Sequence, residues 1–484
     1  MKSSPSETID SPKSKSRSQR LWWLAAIGGA LVTLVGLLLP RTEDVSSGNV
    51  SPPKAARASG GSGTTEARFQ QRLGYTGFRG PEQTAEEIVA QKVRQFGQNR
   101  RAIAQKIARR LNQELPPEIE AFFDAIEEGN WDEIHSRWKY LATHTHQYEY
   151  SKDDRPDLEP FWATVLDTYG VAEQAHEWPA QELLDYGNAI LDSLRPDMVY
   201  VGGTDNGRWV PTLLNETSGD PHIVLTQNAL ADGTYLEYLR ELYGGRFNTL
   251  SQEDSQRAFE EYVADARKRL EHDQRFPDEP KQLRPGEDVR LIDGRVQASG
   301  MVAVMGINEK LLQMLMEKNP DLSFAVQESQ PMRNTYADAV PLGPLMELGV
   351  PDAQNKFTAE RATQSVDYWR SITQALLADP EAADSTYALK SYSHDINSTA
   401  NLLAAHNFNA EAEQAYRLAS QLMPSNIEAA FGLSEVLARA GRADEARQVL
   451  DDFSRNHPDQ KSAIESSRAT VSFLWTAPSE KPSP

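Results

Sequence analysis

The C-terminal part of the chain repeats itself. "NAEAEQAYRLASQLMPSN" is followed by "RADEARQVLDDFSRNHPD", and aligning the two puts Leu403 on Leu437, Ala412 on Ala446 and Pro424 on Pro458, each pair 34 residues apart. A fixed period of that length constrains the fold more than any other feature of the chain. Each unit is one helix–turn–helix pair that cannot bury its apolar face alone, so neighbouring units must stack. The residues suit that task. Ala412, Ala419 and Ala446 let paired helices approach closely, Tyr416 fills the space beside them, and Pro424 and Pro458 end each second helix.

Over Asp395–Asp459 the period and these residues resemble the tetratricopeptide repeat family. The pattern departs at Phe453, where the family prefers a small residue, and at Thr399. Two clear units are fewer than the roughly three needed to bury a continuous core. A degenerate earlier pair is therefore expected in Phe357–Ser393, and a capping helix in "KSAIESSRATVSFLW", Lys461–Trp475. The resemblance implies a helical array over 356–475 that offers a concave surface to partner proteins.

Between about Gln181 and Gly349 the pattern is different. Short apolar runs at Met198–Val201, His222–Gln227 and Leu322–Ser329 alternate with amphipathic stretches, among them "AQELLDYGNAILDSL", Trp209–Glu216, "LADGTYLEYLRELYGG" and "SGMVAVMGINEKLLQMLMEKNP". Strands alternating with helices predict parallel strands joined by crossover helices. The expectation is a Rossmann-like parallel-sheet domain over 180–350. Ser251–Gly294 interrupts it with a helix at Gln256–His272 and then an irregular loop. Residues 67–179 read as helical. They include a basic stretch (Lys92, Arg94, Arg100, Arg101, Lys106, Arg109, Arg110), more simply read as a solvated face than as a contact for acidic partners. A helical hairpin opened by Pro116-Pro117 and broken at Gly129-Asn130 follows.

Parallel neighbours would bring their carboxyl ends to one edge, where open α/β sheets bind ligands. The first strand brings Gly203, Thr204, Asp205, Asn206 and Arg208 there. The second brings Thr226, Gln227, Asn228 and Asp232, and the third Gln327, Glu328 and Ser329. Amides and hydroxyls suit a small polar or sugar-like ligand. Under an alternative enzymatic reading, Asp205 and Glu328 form an acid–base pair. "GGTDNGR" is neither a phosphate-binding loop nor a dinucleotide fingerprint, because Arg208 stands where Lys-Ser/Thr would follow and the glycine spacing is wrong. Asp and Asn there also suit a simple turn. A third reading fills the edge with the protein's own side chains. His135, His144 and His146 lack a His-Glu-x-x-His helix and read as surface residues, and no cofactor or metal is expected.

"RPDMVYVGGTDNGRWVPTLL", "PHIVLTQNALADGTYLEYLRELYG" and "FAVQESQPMRNTYADAVPLGPLMELG" resemble the soluble extracytoplasmic tails of large bacterial membrane proteins similar to protein O-mannosyltransferases. The matching positions are Gly202, Gly203, Thr204, Asp205, Gly207 and Arg208, then Gln227 and Asn228, then Glu328, Ser329 and Tyr336, with Asn206 departing from the commoner residue. That family has no assigned function. Its presumed transferase centre lies in a multi-helix membrane part with no counterpart here. The resemblance implies a binding or assembly role for roughly Ala180–Asp459, with an enzyme or accessory subunit of envelope glycan transfer as the alternative.

Leu21–Leu39, "LWWLAAIGGALVTLVGLLL", has 19 residues and no charge. At about 1.5 Å per residue it reaches roughly 28 Å, close to the hydrocarbon thickness of a bilayer. Lys2, Lys13, Lys15, Arg17 and Arg20 precede it. The expected topology is a cytoplasmic tail (1–20), a transmembrane helix (21–39) and a flexible linker (40–66), in a single-pass inner-membrane protein whose bulk is periplasmic. Envelope proteins are then the expected partners. A net charge of −20 excludes a nucleic-acid binder, and the absence of cysteine excludes disulfides, thiolate metal sites and cysteine nucleophiles. The fold class expected is α/β plus all-α: transmembrane helix, helical region, Rossmann-like domain and tetratricopeptide array.

Overall fold

The computed structural model describes residues 83–145 and 155–460, apart from positions 197, 204, 219–221, 285–286, 293–294, 328–334 and 351–352. The described chain begins with five helices: α1 (Ala85–Arg110), α2 (Pro117–Glu128), α3 (Trp131–His144), α4 (Trp162–Glu177) and α5 (Ala180–Leu191). Their boundaries follow local chemistry. Thr84 and Glu87 form a reciprocal capping box at the start of α1, Pro117 occupies the first turn of α2, and Gly129 ends α2 in the left-handed region at φ 72°. Much of the basic stretch on α1 is neutralised internally. Buried Arg100 lies 3.3 Å from Glu216 and 4.2 Å from the Phe96 ring centroid, Arg101 pairs with Glu120 and Glu127, and Lys106 and Arg110 pair with Glu241.

The sheet region follows with β1 (Met198–Gly202), α6 (Asp205–Glu216), β2 (Ile223–Thr226), α7 (Gly233–Tyr243), α8 (Gln252–Arg275), β3 (Asp288–Ile292), β4 (Arg295–Ser299), α9 (Met301–Lys318), β5 (Ser323–Val326), β6 (Val340–Leu342) and β7 (Leu345–Leu348). The five-stranded sheet has the order β2-β1-β5-β7-β6. β1 is parallel to β2 and to β5, whereas β7 is antiparallel to both β5 and β6. The expected parallel sheet is thus corrected to a small mixed one. Leu342 pairs with Leu345 across Gly343-Pro344, with Gly343 at φ 58°, and so short a turn permits only an antiparallel return. A second hairpin, β3–β4, stands where an irregular loop is expected. Its strands flank Asp293-Gly294, a dipeptide that favours hairpin turns.

Both sheet edges are chemically closed. On β2 the outward N–H groups of Val224 and Thr226 donate to the hydroxyls of Tyr243 (3.1 Å) and Tyr235 (2.7 Å), which α7 carries at helical spacing. On β6 Pro341 has no N–H, and its carbonyl accepts from Arg361 Nη2 at 2.7 Å. Unpaired edge groups invite strand addition, and these contacts remove them.

The helical array comprises α10 (Ala353–Lys356), α11 (Ala359–Ala378), α12 (Pro380–Asp384), α13 (Thr386–Ala405), α14 (Asn409–Leu422), α15 (Ile427–Arg439) and α16 (Ala443–Asn456). Of the repeat-related residues, Leu403, Ala412, Leu437 and Ala446 are fully buried, while Pro424 and Pro458 are exposed. The two departures have local causes. Thr399 accepts from the indole N–H of buried Trp369 on α11 at 2.8 Å, and Phe453 joins Ala430 and Leu450 in a satellite cluster at the array's end. Otherwise one contiguous apolar core runs from Val89 through the sheet to Ala446. The expected capping segment Lys461–Trp475 lies outside the described residues.

The expected membrane topology is corrected. No helix among the described residues is long and apolar enough to cross a membrane, because long helices such as α1 and α8 carry charge throughout. Leu21–Leu39, with the flanking 1–20 and 40–66, lies outside the described residues.

The edge account makes a prediction. Tyr235→Phe removes the hydroxyl that satisfies the Thr226 N–H, so it should cost about 1–3 kcal/mol in a denaturant melt, the desolvation cost of an orphaned buried donor. A midpoint unchanged from wild type would show that the phenol does not close this edge.

Candidate functional site

The carboxyl ends of β1, β2 and β5 do share one edge, with β1 in the middle: Gly202 faces Thr226 and Val201 faces Val326. The candidate residues fall around it as follows. Gly203 is buried directly after β1, and Asp205 and Asn206 are placed by their backbone in the first turn of α6. Arg208 is half-buried, with its guanidinium 4.0 Å from the Trp209 ring centroid and a buried Nε that has no hydrogen-bond partner. Thr226 and Gln227 are buried at the end of β2, and Asn228 follows in a 3₁₀ turn, Gln227–Ala229. Asp232 caps α7 by accepting from Thr234 N–H at 2.8 Å. Tyr336 lies by its backbone in a 3₁₀ turn, Thr335–Asp338. Thr204, Glu328 and Ser329 lie outside the described residues, so the Asp205–Glu328 pair has no described geometry.

Between β1 and β5 the edge is occupied by the protein itself. Gln327 extends the ladder, donating its N–H to Val201 O at 3.1 Å, and its side chain turns across the edge. Tyr200 on β1 donates to Gln327 Oε1 at 3.0 Å, and Gln327 Nε2 donates to Tyr186 Oη on α5 and to Asp395 Oδ1 on α13, both at 2.5 Å. A side chain on Gly207 would place Cβ 1.6 Å from Gln327 Oε1, so glycine is required there.

Pro211 adds a second reason for this arrangement. It stands in the middle of α6 and has no N–H, so the Gly207 carbonyl loses its helical partner. The Tyr200 hydroxyl donates to that carbonyl instead, its one proton shared with Gln327 Oε1. One tyrosine in an otherwise aliphatic strand thus repairs the helix and orients the glutamine.

Asp395 is the most unusual group in this cluster. It is 4 % exposed, its Oδ2 has no hydrogen-bond partner, and it has no ion-pair partner among the described residues. Burial pushes its carboxyl well above the usual carboxylate range, against a smaller opposing effect of hydrogen bonds from Tyr186 and Gln327. The titratable groups near it are the phenols of Tyr186, Tyr200 and Tyr368, all pushed up by burial first and by Asp395 second. The neutral acid is therefore the form this environment holds. Among the described residues there is no group of three His, Asp or Glu arranged to hold a metal. His135 contacts the Tyr169 hydroxyl at 3.0 Å, His144 contacts the Tyr140 carbonyl at 2.7 Å, and His146 lies outside the described residues.

Sequence reasoning missed Asp395, Tyr186 and Tyr200. The available signals were a tyrosine inside "MVYVG" and the run of small polar residues in "SYSHDINSTANLL", a poor composition for a surface helix and an odd one for a core helix.

Residues 402–470 match the model of the tetratricopeptide repeat family. No curated protein and no solved structure matches the chain, so the resemblance of the α/β region to mannosyltransferase-like membrane proteins has no relative to support it. The chain is mostly helical, with a small mixed sheet and a C-terminal array that fits tetratricopeptide repeats.

The state of Asp395 sets a pH dependence. Between the unfolded value of about 3.9 and the higher folded value, the native state keeps a proton that the unfolded chain has lost. The stabilising effect of the neutral acid is fully present below about pH 3.9 and is lost as pH rises through the folded value, at about 1.4 kcal/mol per pH unit within that window. Asp395→Asn keeps the hydrogen-bonding shape without a charge. It should raise the thermal midpoint at pH 8, with the advantage shrinking to nothing near pH 4. A variant less stable than wild type at every pH would contradict a neutral Asp395.

Proposed function

We propose that this protein is a protein-binding scaffold in which the tetratricopeptide array meets the partner and the sheet region gives the array a fixed base. The carrying observation is the 34-residue repeat on α13–α16, which the match at 402–470 covers from the end of α13 onward. Stacked helix pairs of this kind present an extended surface made by the first helix of each pair, a geometry suited to protein partners. The junction at Asp395 supports the second half of the reading, because α13, the array's leading repeat helix, reaches into the sheet edge.

A second reading keeps a small polar ligand at the remaining part of that edge. Arg208 favours it: the side chain is half-buried in the first turns of α6, beside Gly202, and its Nε has no hydrogen-bond partner among the described residues. Thr204, Asp205, Asn206, Thr226, Gln227, Asn228, Glu328, Ser329 and Tyr336 are the other proposed lining residues.

Site-specific photo-crosslinking tests the main reading. A photoreactive residue at Phe431 on the array should capture a defined protein in the cell that makes the chain, while one at Glu237 on α7, whose side chain is about half exposed, should not. Adducts formed only from Glu237, or none from either position, would contradict the scaffold reading.

A further inference from the structure

The repeat offset places two helix faces side by side. On α13, His394, Asn397 and Asn401 follow the i, i+3, i+7 spacing of one face, and 34 residues later Glu428, Phe431 and Glu435 occupy the equivalent face of α15. The two helices meet along these faces. Asn397 Nδ2 lies 3.5 Å from Glu428 Oε2, and His394 Nδ1 lies 3.7 Å from the same oxygen.

The chemistry of this strip is one-sided. Asn397 forms its floor at 4 % exposed, and its buried Oδ1 has no hydrogen-bond partner among the described residues. A buried acceptor left unpaired costs about 1–3 kcal/mol, so a donor that reached it would recover that free energy. Glu428 stands at the rim, 41 % exposed, and no lysine or arginine among the described residues pairs with it. Glu435 beyond it is held by Arg439, and Asn401 already accepts from the Tyr416 hydroxyl at 2.6 Å. Besides the buried His394 ring nitrogen, which also lacks a hydrogen-bond partner among the described residues, the open positions are the Asn397 amide oxygen and the Glu428 carboxylate, both acceptors and neighbours in space. Half-buried Phe431 lies one turn further along α15 and supplies apolar surface. An ammonium or guanidinium group satisfies both acceptors at once, and charge-assisted hydrogen bonds of this kind are roughly twice as strong as neutral ones.

We propose that this strip is the array's partner surface, and that it takes an extended segment of another protein that places a lysine or arginine between Glu428 and the Asn397 carbonyl, with an apolar residue on Phe431. The proposal rests on the protein-binding reading of the array and adds the partner's chemistry.

The test uses the full chain and fluorescein-labelled nonapeptides of alternating Lys and Leu, or of alternating Glu and Leu, followed by fluorescence anisotropy. The Lys peptide should bind and the Glu peptide should not, and binding should weaken as salt is raised from 50 to about 500 mM. Glu428→Gln should weaken the Lys peptide about tenfold or more, the loss expected for one hydrogen bond to a charged group. Glu381→Gln, an equal charge change on exposed α12, should leave binding unchanged. Equal thermal midpoints for both variants and wild type would show that folding is not the cause. Equal losses from Glu428→Gln and Glu381→Gln would reveal general attraction to an acidic protein and overturn the proposal. So would Glu428-dependent self-association without peptide, which would put a second copy in the strip. If Phe431 cross-links a partner protein and Glu428→Gln leaves that adduct intact, the scaffold reading stands and this assignment of partner chemistry fails.

Discussion

Asp395 carries a carboxyl group into the place where the helical array meets the sheet, and no lysine or arginine among the described residues pairs with it there. Its Oδ1 accepts from Gln327, its other oxygen has no hydrogen-bond partner among the described residues, and the phenols of Tyr186, Tyr200 and Tyr368 lie near it. Burial disfavours an ionised carboxylate in such a site and holds its pKa well above the usual carboxylate range. The arrangement ties three parts of the chain together: α5 through Tyr186, the sheet through Tyr200 and Gln327, and the array through Asp395 itself. Buried polar networks of this kind fix relative geometry more firmly than apolar packing alone, because a shift of any member leaves another unsatisfied.

The same junction explains the turn after β1. Pro211 deprives Gly207 of its helical hydrogen bond, Tyr200 restores it, and the missing side chain of Gly207 makes room for Gln327. "GGTDNGR" is therefore first a packing device. Its glycines serve a glutamine and a helix start, and Arg208 keeps an Nε without a hydrogen-bond partner among the described residues. That division of labour favours a scaffold whose sheet supports an array over a sheet built around a ligand.

The array was the most legible part of the sequence, because a 34-residue period acts over many positions at once and survives the departures at Thr399 and Phe453. β1, β2 and β5 were legible as apolar runs, though β2 and β5 end earlier than those runs. The antiparallel β6 and β7 were not, since strands of three and four residues containing Pro341 leave too little alternation to read. The helix α6 starts at Asp205 and not at Trp209, because a turn-like composition and Pro211 obscured its first turns. The polar junction was out of reach for a different reason. Asp395 and Gln327 are 68 residues apart, and no local pattern announces a contact between a repeat helix and a strand end.

The central claim is that array and sheet form one unit with a single relative position. The chain has no cysteine, so two can be introduced without background: Asp321→Cys beside β5 and Asp444→Cys on α16, both exposed. Pulsed electron spin resonance between nitroxide labels at these sites reads their separation directly. One narrow distance distribution at neutral pH is the predicted result, and a broad or two-peaked distribution would contradict it.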